Sequence, residues 1–217
     1  MTDILQQFSK LSTPTVSDAL DRIGMEGACL GITPIDHQFR LIGRALTLKY
    51  EPVGVDKGNV GDFIDDITPG TIIVIDNSGR LNCTVWGDIL TTMASMKGIG
   101  GTVIDGVCRD TSLYTELNYP VFSKGRYMRT GKDRVQLEAV NVPVSLSGIR
   151  VRPNDIIFGD ADGVVVIPKE HEERVLEIAL EIEEAENQIR SAIKNGMRLD
   201  EARKAFKYHS LQTKRGM

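Results

Sequence analysis

The 217-residue sequence predicts an α/β protein whose central sheet contains parallel strands. Between residues 41 and 125, runs with the composition of β-strands alternate with runs whose apolar residues recur at helical spacing. Between residues 140 and 168, short apolar runs follow one another and are separated by Gly, Pro, Asn and Asp. From Lys169 onward the spacing is helical again. We therefore expect a βαβ layer, a β-rich segment and a C-terminal helical part.

The first regular element is a helix over residues 13–24, "TPTVSDALDRIG". Thr13 is a suitable N-cap residue, Pro14 fits the first helical turn, and Gly24 is a typical stop signal.

The alternating region begins with a strand over residues 41–50, which is rich in β-formers. A short helix is expected over residues 55–67, and a Pro-Gly turn then leads into a buried strand that ends near residue 76. The next helix, over residues 86–101, carries an apolar stripe formed by Ile89, Leu90, Met93, Met96 and Ile99. A strand, a helix and a strand follow over residues 102–106, 110–118 and 119–125. This order favours right-handed crossovers and parallel pairing.

The C-terminal part predicts one long helix that ends at Gly196 and a short helix over residues 198–209. A single apolar stripe runs along the long helix, formed by Val175, Ile178, Ala179, Ile182, Ala185, Ile189 and Ile193. The change of pattern divides the chain into a body, residues 1–168, and a helical arm, residues 169–217. We expect the arm to lie at a subunit interface.

Composition excludes several classes of function. The net charge of −4 and the pI near 5.5 argue against a dedicated nucleic-acid binder. Three cysteines without CxxC spacing argue against a disulfide framework or a zinc site. The opening residues lack the features of a signal peptide, and the longest apolar runs are too short to cross a bilayer. The expected location is the cytoplasm, without membrane attachment.

Asp88 and Asp110 are the main candidates for catalytic or ligand-binding residues, because each lies where a predicted strand ends and a predicted helix begins. Ligand clefts of open α/β sheets form at such positions, and helix starts expose free N–H groups. The alternative is that each aspartate is an N-cap. Arg109 favours the functional interpretation, since an arginine beside a carboxylate suits an anionic substrate held at a metal. Taken alone, Arg109 is equally compatible with a solvated surface charge.

Other polar residues give weaker signals. Cys108 has the position of a nucleophile but no histidine near it in sequence, so we expect it to serve in packing. Tyr127, Arg129 and Lys132 can reach a second anionic group, or can form an ordinary solvated loop.

The sequence blocks in this region resemble a known family. Asp88 is followed after twenty residues by Arg109–Asp110, within the blocks "VWGDIL", "GGTVIDGVCRD", "YPVFSKG" and "GDADGVVVIP". Together with "TPTVSDALDRIG", these blocks are similar to the class II 4-hydroxy-4-methyl-2-oxoglutarate (4-carboxy-4-hydroxy-2-oxoadipate) aldolases. The same family contains the regulator of ribonuclease E activity A, RraA.

The resemblance implies a three-layer α/β/β swivelling-domain-like sandwich with a C-terminal helical extension, assembled as a homotrimer or hexamer. It implies that Asp110 holds Mg²⁺ or Mn²⁺ and that Arg109 binds the 2-oxo acid. Asp88 would orient a water for proton transfer, and the backbone of residues 87–90 (Gly87, Asp88, Ile89 and Leu90) would bind the substrate carboxylate. A glutamate from a neighbouring subunit's C-terminal helix would complete the site. Glu186 matches best, with Glu184 as the alternative.

The implied activity is retro-aldol cleavage of a 4-hydroxy-2-oxo acid to pyruvate, with oxaloacetate decarboxylation as a side activity. Two alternatives stay open: a non-catalytic protein-binding regulator of the ribonuclease E type, and an aldolase or decarboxylase for another 2-oxo acid.

Overall fold

A computed structural model describes residues 3–55 and 58–208 of the chain. The chain divides into two compact units. One unit runs from Ala28 to Lys169, and the other combines the residues before Ala28 with those from Glu170 onward. The N-terminal helices, which the sequence analysis placed with the body, therefore group with the C-terminal helices.

The Ala28–Lys169 unit contains an eight-stranded mixed sheet. Its strand order is β1-β5-β4-β3-β2-β9-β10, and β6 pairs with the far end of β2. Strands β7 and β8 form a separate two-stranded hairpin. The bounds are β1 Thr33–Pro34, β2 Leu41–Pro52, β3 Ile72–Thr84, β4 Gly101–Cys108, β5 Val121–Arg126, β6 Val135–Val140, β7 Val144–Leu146, β8 Ile149–Val151, β9 Ile156–Asp160 and β10 Gly163–Ile167.

The parallel pairing predicted from the alternating pattern is confirmed. Strands β2, β3, β4 and β5 pair in parallel, and the remaining pairs of the sheet are antiparallel. Helix α3 (Asp88–Met96) connects β3 to β4, and helix α4 (Ser112–Glu116) connects β4 to β5. All eight residues of β4 are buried, as expected for a central strand covered on both faces. The carboxyl ends of β3 and β4 consequently open towards the starts of the two helices.

Two predicted elements of this unit differ from the structure. The short helix expected over residues 55–67 is reduced to one 3₁₀ turn, Ile64–Asp66; its residues 56 and 57 lie outside the described part. In α3 the expected stripe is only partly inward-facing, because Ile89 and Met96 are 78% and 80% exposed. Thr91 and Ala94 are buried in their place, since small residues let the helix lie close to the sheet.

The other unit consists of α1 (Ile4–Phe8), α2 (Thr13–Arg22), α5 (Glu172–Lys194) and α6 (Leu199–Ala205). The expected N-cap at Thr13 is wrong by one residue. Ser12 has the extended backbone of a cap, and its Oγ accepts from the amide of Thr15 at 3.3 Å. Gly24 has a φ of +75°, which suits the chain reversal after α2.

Helix α5 buries most of the stripe predicted for it, where it packs against α2. Ile193, at the end of that stripe, is 40% exposed. The final helix is shorter than the predicted 198–209, and residues 209–217 lie outside the described part. Among the described residues, no helix is both long and apolar enough to cross a bilayer.

Candidate active site

The turn between β3 and α3 is held by a chain of buried hydrogen bonds. The indole N–H of Trp86 donates to Thr91 Oγ1 at 2.8 Å, and the Thr91 hydroxyl donates to the carbonyl of Gly87 at 2.8 Å. Thr84 Oγ1 donates to the carbonyl of Trp86 at 2.9 Å. The Trp86 ring is also stacked on Tyr119. These contacts fix where the first turn of α3 begins.

The segment after β4 is tied to the same turn. The amide of Arg109 donates to the carbonyl of Trp86 at 3.1 Å, and the buried hydroxyl of Tyr114 donates to the carbonyl of Arg109. Asp110 has a φ of +58°, in the left-handed region that aspartate tolerates better than most residues. The chain therefore turns sharply at Asp110 and directs its carboxylate back towards α3.

Asp88, Arg109 and Asp110 meet at this point. Asp110 Oδ2 accepts from the amide of Asp88 at 3.2 Å and lies 3.1 Å from Arg109 Nε. The N-cap alternative is wrong for both aspartates, because the capping residue of α3 is Gly87 and that of α4 is Thr111. Asp110 precedes α4, but its carboxylate accepts from the first amide of α3 rather than from an amide of α4.

A cavity of about 470 Å³ opens beside these residues. Four of the predicted substrate-binding residues, Gly87 to Leu90, line it together with Arg109. Its remaining lining comes from the end of β3, from Met93 and Thr130, and from the segment before β3: Thr84, Val85, Trp86, Val60, Gly61, Asp62, Ile64 and Asp65. Five of the seven predicted site residues thus line a single cavity of suitable size for a small acid, and Asp110 and Glu186 do not.

The terminal guanidinium nitrogens of Arg109 are available for an anion. The side chain is 36% exposed, and among the described residues only its Nε has a protein partner, the Asp110 carboxylate. An arginine held through Nε presents its two terminal nitrogens as a fork, a geometry that matches a carboxylate.

The amides at the start of α3 are partly engaged already. The amide of Asp88 bonds to Asp110, and the amide of Ile89 bonds to the Asp88 carboxylate itself at 2.8 Å. Two side-chain carboxylates therefore stand where the resemblance implies a substrate carboxylate. An incoming anion would have to compete with them for these N–H groups.

The donor set at Asp110 fits a hard divalent cation that keeps most of its water. The Asp110 side chain is 40% exposed, and its Oδ1 has no hydrogen-bonding partner among the described residues. No cluster of three His, Cys, Asp or Glu residues is present in the part of the chain that the structure describes. Mg²⁺ is commonly bound through one or two carboxylates and several waters, so a single accessible carboxylate is compatible with it.

Glu186 lies in the other compact unit, on α5. Its carboxylate accepts from Arg190 at 3.0 Å and lines a cavity of about 410 Å³ between α2 and α5. Glu184, the alternative, bonds to Gln188 at 2.8 Å and does not line that cavity.

Cys108 is completely buried in β4, as expected for a packing role. Burial raises the pKa of its thiol above the usual range, which opposes thiolate formation. Of the loop that contains Tyr127, Arg129 and Lys132, only Thr130 lines the cavity. Sequence reasoning missed Asp62 and Asp65, which line the cavity from a segment that was predicted as an ordinary helix.

Comparison with curated proteins identifies two close relatives. Protein DlpA of Legionella pneumophila subsp. pneumophila is 40% identical over 211 residues, which cover 96% of this chain but 34% of that protein. This chain thus spans about a third of the length of DlpA. A protein of Halalkalibacterium halodurans, named "Putative 4-hydroxy-4-methyl-2-oxoglutarate aldolase", is 37% identical over 177 residues, which cover 82% of each chain.

Two solved structures share the fold. An uncharacterized protein from Pseudomonas syringae pv. tomato has a TM-score of 0.86 and 42% identity, over 92% of this chain and 96% of that one. Streptomyces coelicolor RraAS2, described as an unusual member of the RNase ES inhibitor RraA protein family, has a TM-score of 0.77 and 26% identity, over 86% and 95%.

The family assignment made from the sequence blocks is confirmed by a direct match. Residues 13–166 match the RraA-like family, described as Aldolase/RraA. This range includes the turn before α3, the Arg109–Asp110 pair and the glycine-rich β9–β10 hairpin. The chain belongs to the RraA-like (Aldolase/RraA) family.

Proposed function

We propose that the protein is a divalent-metal-dependent lyase that cleaves a 4-hydroxy-2-oxo acid by a retro-aldol reaction and releases pyruvate. One observation carries the proposal: Asp88 and the free fork of Arg109 line one cavity, and the exposed carboxylate of Asp110 contacts both residues. The name of the Halalkalibacterium relative supports the same class of reaction.

Arg109 binds the carboxylate of the 2-oxo acid through its terminal nitrogens. Its Nε bond to Asp110 and its amide bond to Trp86 hold the guanidinium in place before the substrate enters. The same cationic group stabilises negative charge as it develops on the pyruvate half of the substrate.

Asp110 would hold Mg²⁺ or Mn²⁺, and such an ion, when bound, would supply Lewis-acid polarisation of the 2-oxo group. Asp110 reaches this role through its left-handed backbone, which turns the carboxylate towards the start of α3.

Asp88 is the group in the cavity wall that we assign to proton transfer. The Asp88 carboxylate orients a water that takes the proton of the 4-hydroxyl, and the C3–C4 bond breaks to give a carbonyl product and the enolate of pyruvate. Protonation at C3 then yields pyruvate. By the family resemblance, Glu186 of a neighbouring copy assists, which agrees with a homotrimer or hexamer as the working assembly.

Decarboxylation of oxaloacetate passes through the same enolate, so we propose it as a side activity. The purified protein should release pyruvate from 4-hydroxy-4-methyl-2-oxoglutarate and from oxaloacetate when Mg²⁺ or Mn²⁺ is present. Excess chelator and the Asp110→Ala substitution should each reduce the rate at least 100-fold. Failure of the metal-loaded protein to release pyruvate from any 2-oxo acid, or full activity of Asp110→Ala, would show the proposal to be wrong.

Similarity to RraAS2 supports a second candidate, a non-catalytic regulator that binds a ribonuclease. Metal dependence separates the two functions. A protein-binding regulator should retain its affinity for the partner in excess chelator and after the Asp110→Ala substitution, since neither change alters most of the surface.

A further inference from the structure

One stretch of the active-site cavity is apolar and has no role in the proposed reaction. We call it the apolar wall, and it consists of Val60, Ile64, Val85, Leu90 and Met93, all of which line the cavity. The groups assigned to the reaction bind the 2-oxo acid and move a proton, and neither task uses an apolar surface. The side chains of the apolar wall are therefore available to select the rest of the substrate.

Helix α3 supplies two members of the apolar wall. Leu90 and Met93 are three residues apart, so their side chains lie on one face of the helix. Both are partly buried against the hydrophobic core, and both line the cavity. The helix begins at Asp88, the residue assigned to proton transfer. An apolar surface thus continues along the same helix from the reacting end of the site.

The segment between β2 and β3 supplies Val60 and Ile64, and this segment is held in place. The Tyr50 hydroxyl donates to the carbonyl of Val60. A Cβ atom on Gly61 would lie 3.2 Å from Leu90 Cδ2, so the segment packs directly against α3. The two parts of the apolar wall are therefore in contact, and the surface is formed before a substrate enters.

The cavity has room beyond the reacting groups. Its volume of about 470 Å³ lies in the range of pockets that enclose drug-sized ligands, about 300–1,000 Å³. A substrate without an apolar substituent would leave the apolar wall facing water. An apolar group carried on C4 would cover the wall and gain the free energy of burial.

We propose that the apolar wall binds an alkyl branch on C4, so that the preferred substrates are 4-hydroxy-2-oxo acids whose branch is longer than methyl. This inference rests on the proposed aldolase function. C4 carries two substituents besides the hydroxyl and C3, so a branch and a carboxylate are compatible in one molecule. When the C3–C4 bond breaks, the 4-hydroxyl loses its proton and becomes a carbonyl, and C3 gains a proton. The products are pyruvate and a 2-oxo acid that keeps the branch.

A series of 4-alkyl-4-hydroxy-2-oxoglutarates with methyl, ethyl, propyl and butyl branches tests this selection. All members have the same reacting groups and the same charge, and they differ only in apolar length. With the Mg²⁺-loaded protein, kcat/KM should rise about threefold for each added methylene, as expected for burial of apolar surface. Chromatography measures the pyruvate released, and the value for the methyl compound is halved because both of its products are pyruvate.

Met93→Gln places a polar group of similar length in the apolar wall and should reduce the ratio of kcat/KM for butyl over methyl at least threefold. Met96→Gln is the matched control, since Met96 lies on the same helix, is 80% exposed and does not line the cavity. It should leave the ratio unchanged.

Val60→Thr is a second variant, which keeps the shape of the side chain and adds a hydroxyl group. It should also reduce the ratio at least threefold. Its control is Val142→Thr, because Val142 is likewise partly buried against the core but does not line the cavity. A ratio that neither cavity variant changes, or that the controls change equally, would overturn the inference.

The inference and the aldolase proposal fail in different ways. If the methyl compound releases pyruvate but kcat/KM is flat or falls along the series, the selection is wrong and the aldolase proposal stands. If no member releases pyruvate, the aldolase proposal is wrong, and calorimetric titration of the Mg²⁺-loaded protein with pyruvate and with 2-oxohexanoate still tests the apolar wall. Wild type should bind 2-oxohexanoate roughly tenfold more tightly, and Met93→Gln should lose most of this preference. Equal affinities in the wild type would refute the selection.

Discussion

At the residue scale, the site depends on the backbone of Asp110. A φ of +58° is unfavourable by about 1–2 kcal/mol for most residues. Here it aims the carboxylate at the amide of Asp88 and at Arg109 Nε. Gly87 allows this approach, because a Cβ atom there would lie 2.7 Å from Asp110 Oδ2. The identity of Gly87 is thus set by the carboxylate next to it, not by its own dihedral angles, which are extended.

Tyr114 is a positioning residue for this arrangement, and its loss should reduce activity. Tyr114→Phe removes the donor to the Arg109 carbonyl, so the peptide that orients Arg109 and Asp110 is held less firmly. We expect kcat/KM for pyruvate release to fall roughly tenfold, and the free energy of unfolding to fall by about 1–3 kcal/mol. Steady-state kinetics and urea unfolding measure the two effects.

Tyr119→Phe is the control for Tyr114→Phe. Its buried hydroxyl bonds to Thr102 Oγ1 at 2.8 Å, away from Arg109. It should lower stability by a similar amount and leave kcat/KM unchanged. Equal losses of activity in both variants would contradict a positioning role for Tyr114.

At the element scale, the first turns of the helices contribute to stability and, in α3, to the candidate active site. Helix α3 has a glycine cap, Gly87, and the amide of its first residue, Asp88, donates to the carboxylate of Asp110 outside the helix. Helix α2 instead has a conventional side-chain cap, Ser12. Both starts satisfy free N–H groups and both lie beside a cavity, but only at α3 does the carboxylate of a residue outside the helix accept from a helix-start amide.

Ser12→Ala should lower the free energy of unfolding by about 1 kcal/mol, because the amide of Thr15 loses its side-chain acceptor. Ser12→Asn retains a capping oxygen and should stay within about 0.5 kcal/mol of the wild type. Urea unfolding followed by circular dichroism compares the three proteins. Equal stability of the Ala and Asn variants would show that the cap contributes little.

At the scale of the whole molecule, buried ionisable groups define an alkaline limit to stability. Burial, with a smaller contribution from Asp105, raises the pKa of the Cys29 thiol from 9.0 to about 12. Burial also raises the pKa of Tyr50 and Tyr119 above 10.0. Each group keeps its proton in the folded state at a pH where the unfolded chain releases it.

The contribution of these groups to the free energy of unfolding should therefore be constant up to about pH 9 and be lost as the pH rises from 9 to 12. Urea titrations in the presence of a reductant, at several pH values across this range, measure the slope. In the Cys29→Ala variant, the free energy of unfolding should fall less steeply just above pH 9. Stability that is flat or rising over this range would contradict the assignment.

The proposed assembly predicts complementation between inactive chains. If each site combines Asp110 of one copy with Glu186 of another, Asp110→Asn and Glu186→Gln chains mixed in equal amounts should recover about a quarter of the wild-type rate, since half of each partner is intact. Each variant alone should be nearly inactive. A mixture no more active than its components would place both residues in the site of a single copy, or Glu186 outside it.

The sequence by itself determined the order and type of the main elements and the parallel pairing of β2 to β5, and it singled out Asp88, Arg109 and Asp110 as candidates. Those conclusions rest on local periodicity and on residue types at strand ends, which the chain order records directly. The family followed from short blocks, and residues 13–166 match it.

Only the tertiary structure decided which other residues line the cavity together with Asp88 and Arg109. Asp62 and Asp65 lie more than twenty residues before Asp88 in a segment without strong periodicity, so no local pattern related them to the cavity. Packing likewise decided that Ile89 and Met96 are exposed. The backbone conformation at the start of α2 decided that Ser12 is its N-cap. Long-range contacts of this kind arise when distant segments fold against each other, and neighbouring residues in sequence do not encode them.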